Sequence, residues 1–305
     1  METSTKTPDN IVTHKDVYTI INEKIIEQLE KGTAPWRNPW HTAGLPKNLI
    51  TDRQYRGINL ILLASMGYEQ NYFLTYKQLT ELGGSVKKDE KGHMVAFWNF
   101  PDREAENTDA IEEVQEPRKR ATLRYYTVFN IAQCENIPAD KLPVLQEREF
   151  NPISACERIV AGMPQCPVIK HKEASAYYNP LQDYVNMPRQ KSFESEEAYY
   201  STLFHELVHS TGHHSRLARK DLIEMAEFGS DAYSHEEFVA EIGTCYFQSF
   251  TGIESRFEQS AAYIKGWLWK LKNDKRFIFS ASAQAQKAAD YILNVQSDAE
   301  ESKEE

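Results

Sequence analysis

The chain has 305 residues, of which 41% are hydrophobic, and its formal net charge is −10. This composition is typical of a soluble globular protein, and the length favours two domains over one. The sequence contains no apolar run of about 18 residues, so we expect no membrane-spanning helix. The first ten residues are polar and lack the apolar stretch of a signal peptide, and the four cysteines lack CxxC spacing. Both features favour a reducing cytoplasm over secretion.

The N-terminal half predicts a small module of the α+β class. Apolar residues recur at helical spacing in three stretches, and glycines follow the first and the third of them. Two short segments around a charged turn are typical of a hairpin, and a later aromatic segment alternates as a strand does. The helices are expected at about 15–31, 55–63 and 75–82, and the strands at 86–87, 94–100 and 123–131.

Basic charge is concentrated in this half of the chain. Residues 31–100 contain nine Lys/Arg and five Asp/Glu, and residues 118–130 contain four Lys/Arg and no acid. Between them, residues 102–116 contain seven acids and one base. Such a charged segment with few apolar residues predicts a solvated, disordered insertion, and we expect the same of the acidic tail from about 297.

Basic residues interleaved with aromatic residues suit single-stranded DNA, because cations neutralise phosphates and flat rings stack on unpaired bases. The candidates for such contacts are Trp36, Arg37, Trp40, Arg53, Tyr55, Arg56, Lys87, Lys88 and Lys91. A structural interpretation competes with this one. Tryptophan in a small domain is more often part of the core, and a lysine-rich turn is more often solvated or protects a strand edge.

The C-terminal half contains His205-Glu206-Leu207-Val208-His209, an HExxH motif. The surrounding residues predict a helix from about 194, with Ser192 as its N-cap and Gly212 after its end. Histidines four residues apart lie one turn apart on one helix face. Both imidazoles can then bind one Zn²⁺ while Glu206 faces the metal-bound water. The competing interpretation is an ordinary amphipathic helix with two surface histidines.

A catalytic zinc usually takes three protein ligands and leaves the fourth position to water. Ser215 occupies the position at which the HExxHxxGxxH pattern would have a third histidine. Glu237 and Glu241 lie one turn apart on a second predicted helix, which resembles the glutamate-zincin arrangement. Glu237 would bind zinc there, and Glu241 would orient a ligand imidazole through its other N–H. The exchanged assignment, with Glu241 as the ligand, remains open, as does a solvated helix face.

These residues together predict a zinc-dependent hydrolase. Zn²⁺ lowers the pKa of its bound water toward about 7. Glu206 would accept the proton of that water, which attacks a polarised carbonyl, and would later return the proton to the leaving amine. The developing oxyanion needs a further donor. Sequence spacing does not choose among the four nearby candidates, which are Tyr233, His213, His214 and Arg216.

Seven short segments, spread in order along nearly the whole chain, match those of a known family. They lie at 35–40, 55–59, 87–92, 205–212, 216–217, 237–243 and 287–291. On these segments the chain resembles an ArdC-type antirestriction protein of mobile elements. The resemblance implies an N-terminal single-stranded-DNA-binding domain and a C-terminal zincin-like metallopeptidase domain, whose HExxH helix packs on a small sheet. It also implies a role in protecting incoming DNA from host restriction.

We expect the first domain at 1–148 and the second at 149–305. A linker-like segment at 137–143 precedes Asn151-Pro152, a cap and first-turn proline that open the next helix. Two strands then lead to the HExxH helix, and two helices follow and pack behind it. The strands are expected at 167–169 and 183–187, and the helices near 256–272 and 281–295.

The expected cofactor is Zn²⁺, and the expected partners are single-stranded DNA and a protein substrate that the residues do not identify. A host restriction protein or a DNA-associated protein is one possibility for that substrate. Two alternatives remain. The chain could coat single-stranded DNA while its metal site is structural or disused, or it could be a plasmid replication or primase accessory.

Overall fold

The computed structural model describes residues 16–32, 34, 44–99, 121–143, 152–223, 231–253 and 261–295. Several predicted features lie outside these residues. They are the acidic insertion, the acidic tail, the domain boundary near 148, and the candidates Trp36, Arg37 and Trp40. The described residues have the predicted mixed α+β architecture. Among their helices we find none with both the length and the apolarity that a membrane span requires.

The first helix, α1, spans Val17–Glu30, close to its predicted bounds. The side chain of Asp16 caps it by accepting a hydrogen bond of 2.8 Å from a backbone N–H of the first turn. This satisfies one of the N–H groups that a helix leaves unpaired at its start. Ile21, Ile25 and Leu29 bury one face of α1, at the 3–4 spacing that predicted the helix.

The rest of the N-terminal half forms a four-stranded sheet and a two-stranded sheet with two short helices. The helices are α2 (Ile58–Ala64) and α3 (Tyr76–Glu81), and the strands are β1 (Lys47–Asn48), β2 (Tyr72–Thr75), β3 (Ser85–Val86), β4 (His93–Asn99), β5 (Thr122–Asn130) and β6 (Cys134–Glu135). The larger sheet has the order β1-β2-β5-β4, and the smaller one pairs β3 with β6. Val95 and Val128 of the larger sheet pack against Leu63 of α2.

The predicted hairpin across the lysine-containing turn is wrong. Strand β3 pairs antiparallel with β6, whereas β4 pairs with β5 over seven residue pairs. Val86 of β3 packs against a cluster of Leu74, Leu79 and Cys134. Burial of this apolar side chain therefore favours pairing with β6, which is distant in sequence, over pairing with the next strand. The turn connects two sheets.

The C-terminal half consists of helices around a small three-stranded sheet. Its elements are α4 (Pro152–Gly162), β7 (Val168–Lys170), β8 (Tyr177–Asn179), β9 (Tyr184–Asn186), α5 (Glu196–Thr211), α6 (Lys220–Ile223), α7 (Asp231–Thr251), α8 (Ala261–Asn273) and α9 (Phe277–Ile292). The strand order is β7-β9-β8, with β7 parallel and β8 antiparallel to β9. The sequence predicted β7 and β9 but not β8.

The two halves share one hydrophobic core. Ile21 of α1 and Ile61 of α2 belong to the same buried cluster as Phe238 of α7. Helix α1 lies against α8, and α2 lies against α9. The Nδ2 of Asn22, on α1, donates a hydrogen bond of 2.6 Å to the carbonyl of Leu271, on α8. This continuous packing holds the N-terminal elements against the helices that carry the candidate site.

Candidate metal centre

Helix α5 carries the HExxH motif on one face and core residues on the other. Ser195, rather than the predicted Ser192, is its N-cap, and its Oγ accepts a hydrogen bond of 3.1 Å from a backbone N–H of the first turn. Phe204 and Leu207 are fully buried. The ring of Phe204 stacks on Phe247 of α7, with the ring centroids 4.6 Å apart. This packing brings together the two helices on which the ligands were predicted.

Three side chains meet between α5 and α7. The Nε2 atoms of His205 and His209 lie 3.2 Å apart. The two carboxylate oxygens of Glu237 lie 3.6 Å from Nε2 of His205 and 3.5 Å from Nε2 of His209. These three residues are the only potential metal-binding cluster of His, Cys, Asp and Glu found in the described part of the chain.

The spacing of these atoms fits a tetrahedral metal ion. Zinc bonds to nitrogen and oxygen are about 2.0–2.1 Å long, so two ligand atoms at the tetrahedral angle lie about 3.3 Å apart. The two imidazole nitrogens lie 3.2 Å apart, and each has a different oxygen of Glu237 at 3.5 or 3.6 Å, so all three separations are close to that value. Two imidazoles and one carboxylate, with a fourth position left open, form the donor set of a catalytic zinc site. The residues therefore fit the predicted cofactor.

The electrostatics of the cluster favour a positive charge beside His209. Burial by itself would lower the pKa of His209. The hydrogen bond to Glu236 and the charges of Glu237 and Glu206 outweigh burial and raise this pKa to about 9. Glu206, the predicted general base, is itself buried. The carboxylates that raise this pKa would also attract a divalent cation.

At His209, Glu236 takes the role that was predicted for Glu241, at a ligand imidazole that the prediction did not specify. The Nδ1 of His209 donates a hydrogen bond of 3.1 Å to Oε1 of Glu236. The prediction for Glu241 assumed a residue one turn beyond Glu237, whereas the packing of α7 against α5 turns the residue just before Glu237 toward the ring. Glu241 is buried on the same helix. Its role at the other ligand, His205, stays a prediction.

Arg216, one of the four residues considered as a donor to the substrate oxyanion, instead bonds to groups within the protein. Its guanidinium donates to both carboxylate oxygens of Asp183, to the hydroxyl of Tyr178 and to two backbone carbonyls. Its side chain is only 1% exposed. These bonds attach the loop after α5 to the small sheet, and they leave this side chain unsuited to stabilise a substrate oxyanion. His213 donates to or accepts from Ser215 at 2.8 Å, outside the metal cluster.

Two of the predicted DNA contacts have partners within the protein, although Arg56 remains half exposed. The ring of Tyr55 is buried, and it packs edge-on against Phe73 with centroids 6.2 Å apart. The prediction of a stacking platform at Tyr55 is therefore wrong, because a base cannot reach a ring that fills the core. Arg56 forms an ion pair with Asp290 of α9. The neighbouring N–H of Gly57 donates to Oε1 of Gln286 at 3.2 Å, on the same helix.

The remaining basic candidates lie at the surface. Arg53, Lys88 and Lys91 are exposed. Lys87 is exposed too, and its Nζ donates a hydrogen bond of 2.8 Å to the carbonyl of Ala132. All four lie in the N-terminal half of the chain, whereas the candidate metal ligands lie in the C-terminal half. Their contact with DNA stays a prediction.

Sequence reasoning missed Glu236 and Arg219. Arg219 is buried and forms a bidentate ion pair with Glu236. One signal for Glu236 was available, since it directly precedes the predicted ligand Glu237 on an otherwise apolar helix. No comparable pattern marked Arg219, because its partners lie 8 to 17 positions away along the chain.

The fold and the site together define a zincin-like protein. Residues 156–284 match the model of a family described as zincin-like metallopeptidase. Residues 15–129 match a second model, described as the N-terminal domain of anti-restriction factor ArdC. Both matches agree with the order of the two predicted regions.

Two solved structures resemble the chain over most of its length. The crystal structure of the antirestriction ArdC protein from the R388 plasmid, in its Mn(II)-bound form, has a TM-score of 0.74 and 37% identity, and the match covers 92% of this chain and 98% of that one. The metal-free form of the same protein has a TM-score of 0.73 and 38% identity, with 92% and 97% covered. The chain belongs to the ArdC antirestriction family.

Three curated proteins are also similar to most of this chain. Uncharacterized protein y4eC of Sinorhizobium fredii is 36% identical, with 98% of this chain and 97% of the relative covered. Two proteins of Escherichia coli named DNA primase TraC are 35% and 34% identical over 93% and 92% of this chain. The chain spans only 20% and 27% of the length of these two relatives.

Proposed function

We propose that the chain is an antirestriction protein that binds single-stranded DNA and carries a zinc-dependent metallopeptidase site. The observation that carries the enzymatic part is the convergence of His205, His209 and Glu237 at separations suited to one tetrahedral ion. In this proposal those three residues hold Zn²⁺ and Glu206 is the catalytic residue.

A bound zinc ion would supply a Lewis acid that polarises a substrate carbonyl and acidifies a water molecule. Glu206 is buried beside the two histidines and carries no ligand role, so its carboxylate is available to accept the proton of the attacking water. The same carboxylate would deliver that proton to the leaving amine. Glu236 would hold the imidazole of His209 in the tautomer whose Nε2 faces the ion.

Glu206→Gln tests the enzymatic part. The variant should bind Zn²⁺ as the wild type does and lose peptide hydrolysis by roughly 10²–10⁴-fold, because only the proton acceptor is removed. Hydrolysis is measured on unstructured protein substrates with and without single-stranded DNA. Glu196→Gln, the same change at an exposed position of the same helix, is the matched control. Wild-type protein that holds zinc but cleaves nothing under either condition would refute the peptidase proposal.

The binding part of the proposal rests on the exposed cations Arg53, Lys87, Lys88 and Lys91 and on the family match. Trp36 and Trp40 remain stacking candidates. Binding should weaken with salt, with a log–log slope of about −0.7 per phosphate contacted. Changing both Lys88 and Lys91 to Gln should therefore reduce the slope of the full-length protein by about 1.4.

Lys265→Gln, at an exposed position of α8, is the control for that charge change. Equal affinity at low and high salt would contradict the electrostatic basis of the proposal. Tyr55 is not part of this test, since its ring belongs to the core.

The TraC relatives support a second candidate function. In those proteins the region similar to this chain is a fraction of a longer polypeptide named as a DNA primase. The chain would then serve as a DNA-binding accessory of replication, and its metal site would be structural. Glu206→Gln separates protection by proteolysis from protection by DNA binding alone. Protection against restriction that survives this change, but fails when Lys88 and Lys91 are neutralised, would favour binding without proteolysis.

A further inference from the structure

Arg219 lies between α5 and α6, and its side chain donates hydrogen bonds to five acceptor atoms. Its Nε donates to Oε2 of Glu236 at 2.8 Å, and its Nη2 donates to Oε1 of Glu236 at 2.5 Å. Its Nη1 donates to Oγ1 of Thr211 at 2.6 Å, and its Nη2 also lies 2.7 Å from the carbonyl of Val208 and 3.3 Å from that of His209. The side chain is 4% exposed.

These contacts join two helices at the metal cluster. The carbonyls of Val208 and His209 lie in the last turn of α5, where a helix leaves its acceptors unpaired and carries partial negative charge. Glu236 lies on α7, next to the ligand Glu237. A single guanidinium therefore bonds the end of the helix that carries both histidines and a carboxylate of the helix that carries the third ligand.

Glu236 and Glu237 hold the ring of His209 from opposite sides. Oε1 of Glu236 lies 3.1 Å from Nδ1, and Oε1 of Glu237 lies 3.5 Å from Nε2. Two adjacent residues of one helix thus face the two nitrogens of one imidazole. The direction of Glu236 sets the rotation of the ring, and both oxygens of Glu236 are in turn bonded to Arg219.

Space for the guanidinium is left by Gly212. A Cβ atom at this position would lie 3.0 Å from Nη2 and 3.1 Å from Cζ of Arg219. The φ of Gly212 is −73°, which any residue adopts, so the backbone conformation does not require a glycine here. The absence of a side chain at Gly212 is explained by the close approach of Arg219.

We propose that Arg219 is a positioning residue for the metal centre. It holds the carboxylate of Glu236 against Nδ1 of His209, and so fixes the ring with Nε2 toward the ion. The proposal rests on the metal site of the proposed function and adds to it a residue that touches neither metal nor substrate. Lysine cannot replace it, because one ammonium cannot donate two parallel bonds to a carboxylate while also reaching Thr211 and the helix carbonyls.

The test compares Arg219→Lys with Arg216→Lys in the full-length protein. Arg216 is a similarly buried arginine three residues away, and it bonds to Asp183, Tyr178 and two backbone carbonyls, one of them at the end of α5, but not to Glu236. Affinity for Zn²⁺ and Co²⁺ is measured by competition with a chelator. We expect Arg219→Lys to bind about 10–100-fold more weakly, the usual cost of losing a partner behind a metal ligand, and Arg216→Lys to stay within a few-fold of the wild type.

The visible absorption of the Co²⁺ form distinguishes positioning from general destabilisation. Its bands report the geometry around the ion, so Arg219→Lys should alter them while Arg216→Lys should not. Unchanged affinity and an unchanged spectrum in a folded Arg219→Lys protein would overturn the proposal.

Glu236→Gln decides the matter if Arg219→Lys does not fold. The amide has the same size as the carboxylate but cannot accept both arginine bonds. The metal affinity of the Glu236→Gln protein should therefore fall at least about tenfold. An unchanged affinity in this variant overturns the proposal. A wild-type chain that binds neither Zn²⁺ nor Co²⁺ would be a different failure, because it refutes the metal site itself.

Discussion

Two arginine–carboxylate pairs show how differently the two regions of this protein are held. Arg219 and Glu236, beside the metal cluster, have side chains that are 4% and 6% exposed. Arg56 and Asp290, which join the N-terminal half to α9, have side chains that are 50% and 15% exposed. The first pair lies where water does not replace a lost partner, and the second lies where water does. Burial, more than the identity of the pair, decides how much each one matters.

The largest effect is expected from Arg219→Met. It leaves the buried carboxylate of Glu236 without its cation, which typically costs about 3–5 kcal/mol of the free energy of unfolding. Denaturant unfolding measures this loss. Lys220→Met, at the exposed neighbouring position, should change stability by about 0.5 kcal/mol or less. If Arg219→Met lowers the free energy of unfolding by less than about 1 kcal/mol, the buried pair contributes no more to stability than the exposed pair does.

Gly212→Ala should have the next largest effect. The added Cβ meets Nη2 of Arg219 and Cδ2 of Leu222, both at 3.0 Å. Such overpacking usually costs about 1–3 kcal/mol, and here it also displaces Arg219 from Glu236. Zn²⁺ affinity should therefore fall together with the melting temperature.

Gly162→Ala is the control for Gly212→Ala, because a Cβ at Gly162 meets no atom within 4 Å. If Gly212→Ala lowers the melting temperature but leaves Zn²⁺ affinity unchanged, then Gly212 does not influence the metal site.

The pair of Asp183 and Arg216 predicts a stability loss in acid. Burial by itself would raise the pKa of Asp183, but hydrogen bonds from Arg216 and Tyr178 hold it below its usual value. A carboxyl with a depressed folded-state pKa stabilises the protein above its unfolded-state pKa. That contribution is lost as the pH falls through the folded-state pKa. Asp183→Asn should therefore lower the melting temperature at neutral pH, and the difference from wild type should shrink below about pH 4.

Melting temperatures between pH 7 and pH 3 provide this measurement. Asp140→Asn, at a carboxylate that is 73% exposed, is the control and should show no such trend. A difference for Asp183→Asn that stays constant across this range would rule out the ion pair as its source.

The smallest effect is expected at the contact between the two halves. Arg56 is half exposed, so solvent screens its attraction to Asp290, and the coupling should be about 0–1 kcal/mol. A double-mutant cycle with Arg56→Gln and Asp290→Asn measures this coupling, and it should shrink as salt is added. Coupling above about 2 kcal/mol, independent of salt, would show that this contact resembles the buried pair after all.

The two candidate metal ligands on α5 were predictable because their geometry is local. Four residues make slightly more than one helical turn, so His205 and His209 had to share a face once the apolar spacing around the motif indicated a helix. Glu237 was predictable for a weaker reason, namely that a third ligand was missing and its helix was otherwise apolar. Local periodicity likewise predicted α1 and the strand β5.

The errors share a different cause. Pairing of β3 with β6 depends on which distant apolar side chains Val86 meets, and a sequence window around the turn contains no information on that. Tyr55 is aromatic and could stack on a base, and only its packing against Phe73 assigns it to the core. A nine-residue strand such as β5 accepts partners on either edge, so its neighbours follow from the whole sheet.

The sequence by itself predicted the helix of the candidate metal site and two of its candidate ligands, because helical spacing and residue chemistry act over one turn. The tertiary structure decided that Glu236 rather than Glu241 supports His209, and that Arg219 supports Glu236. These choices depend on the rotation of α7 about its own axis relative to α5. That rotation is set by core packing, including Phe204 against Phe247, between residues 43 positions apart in the chain.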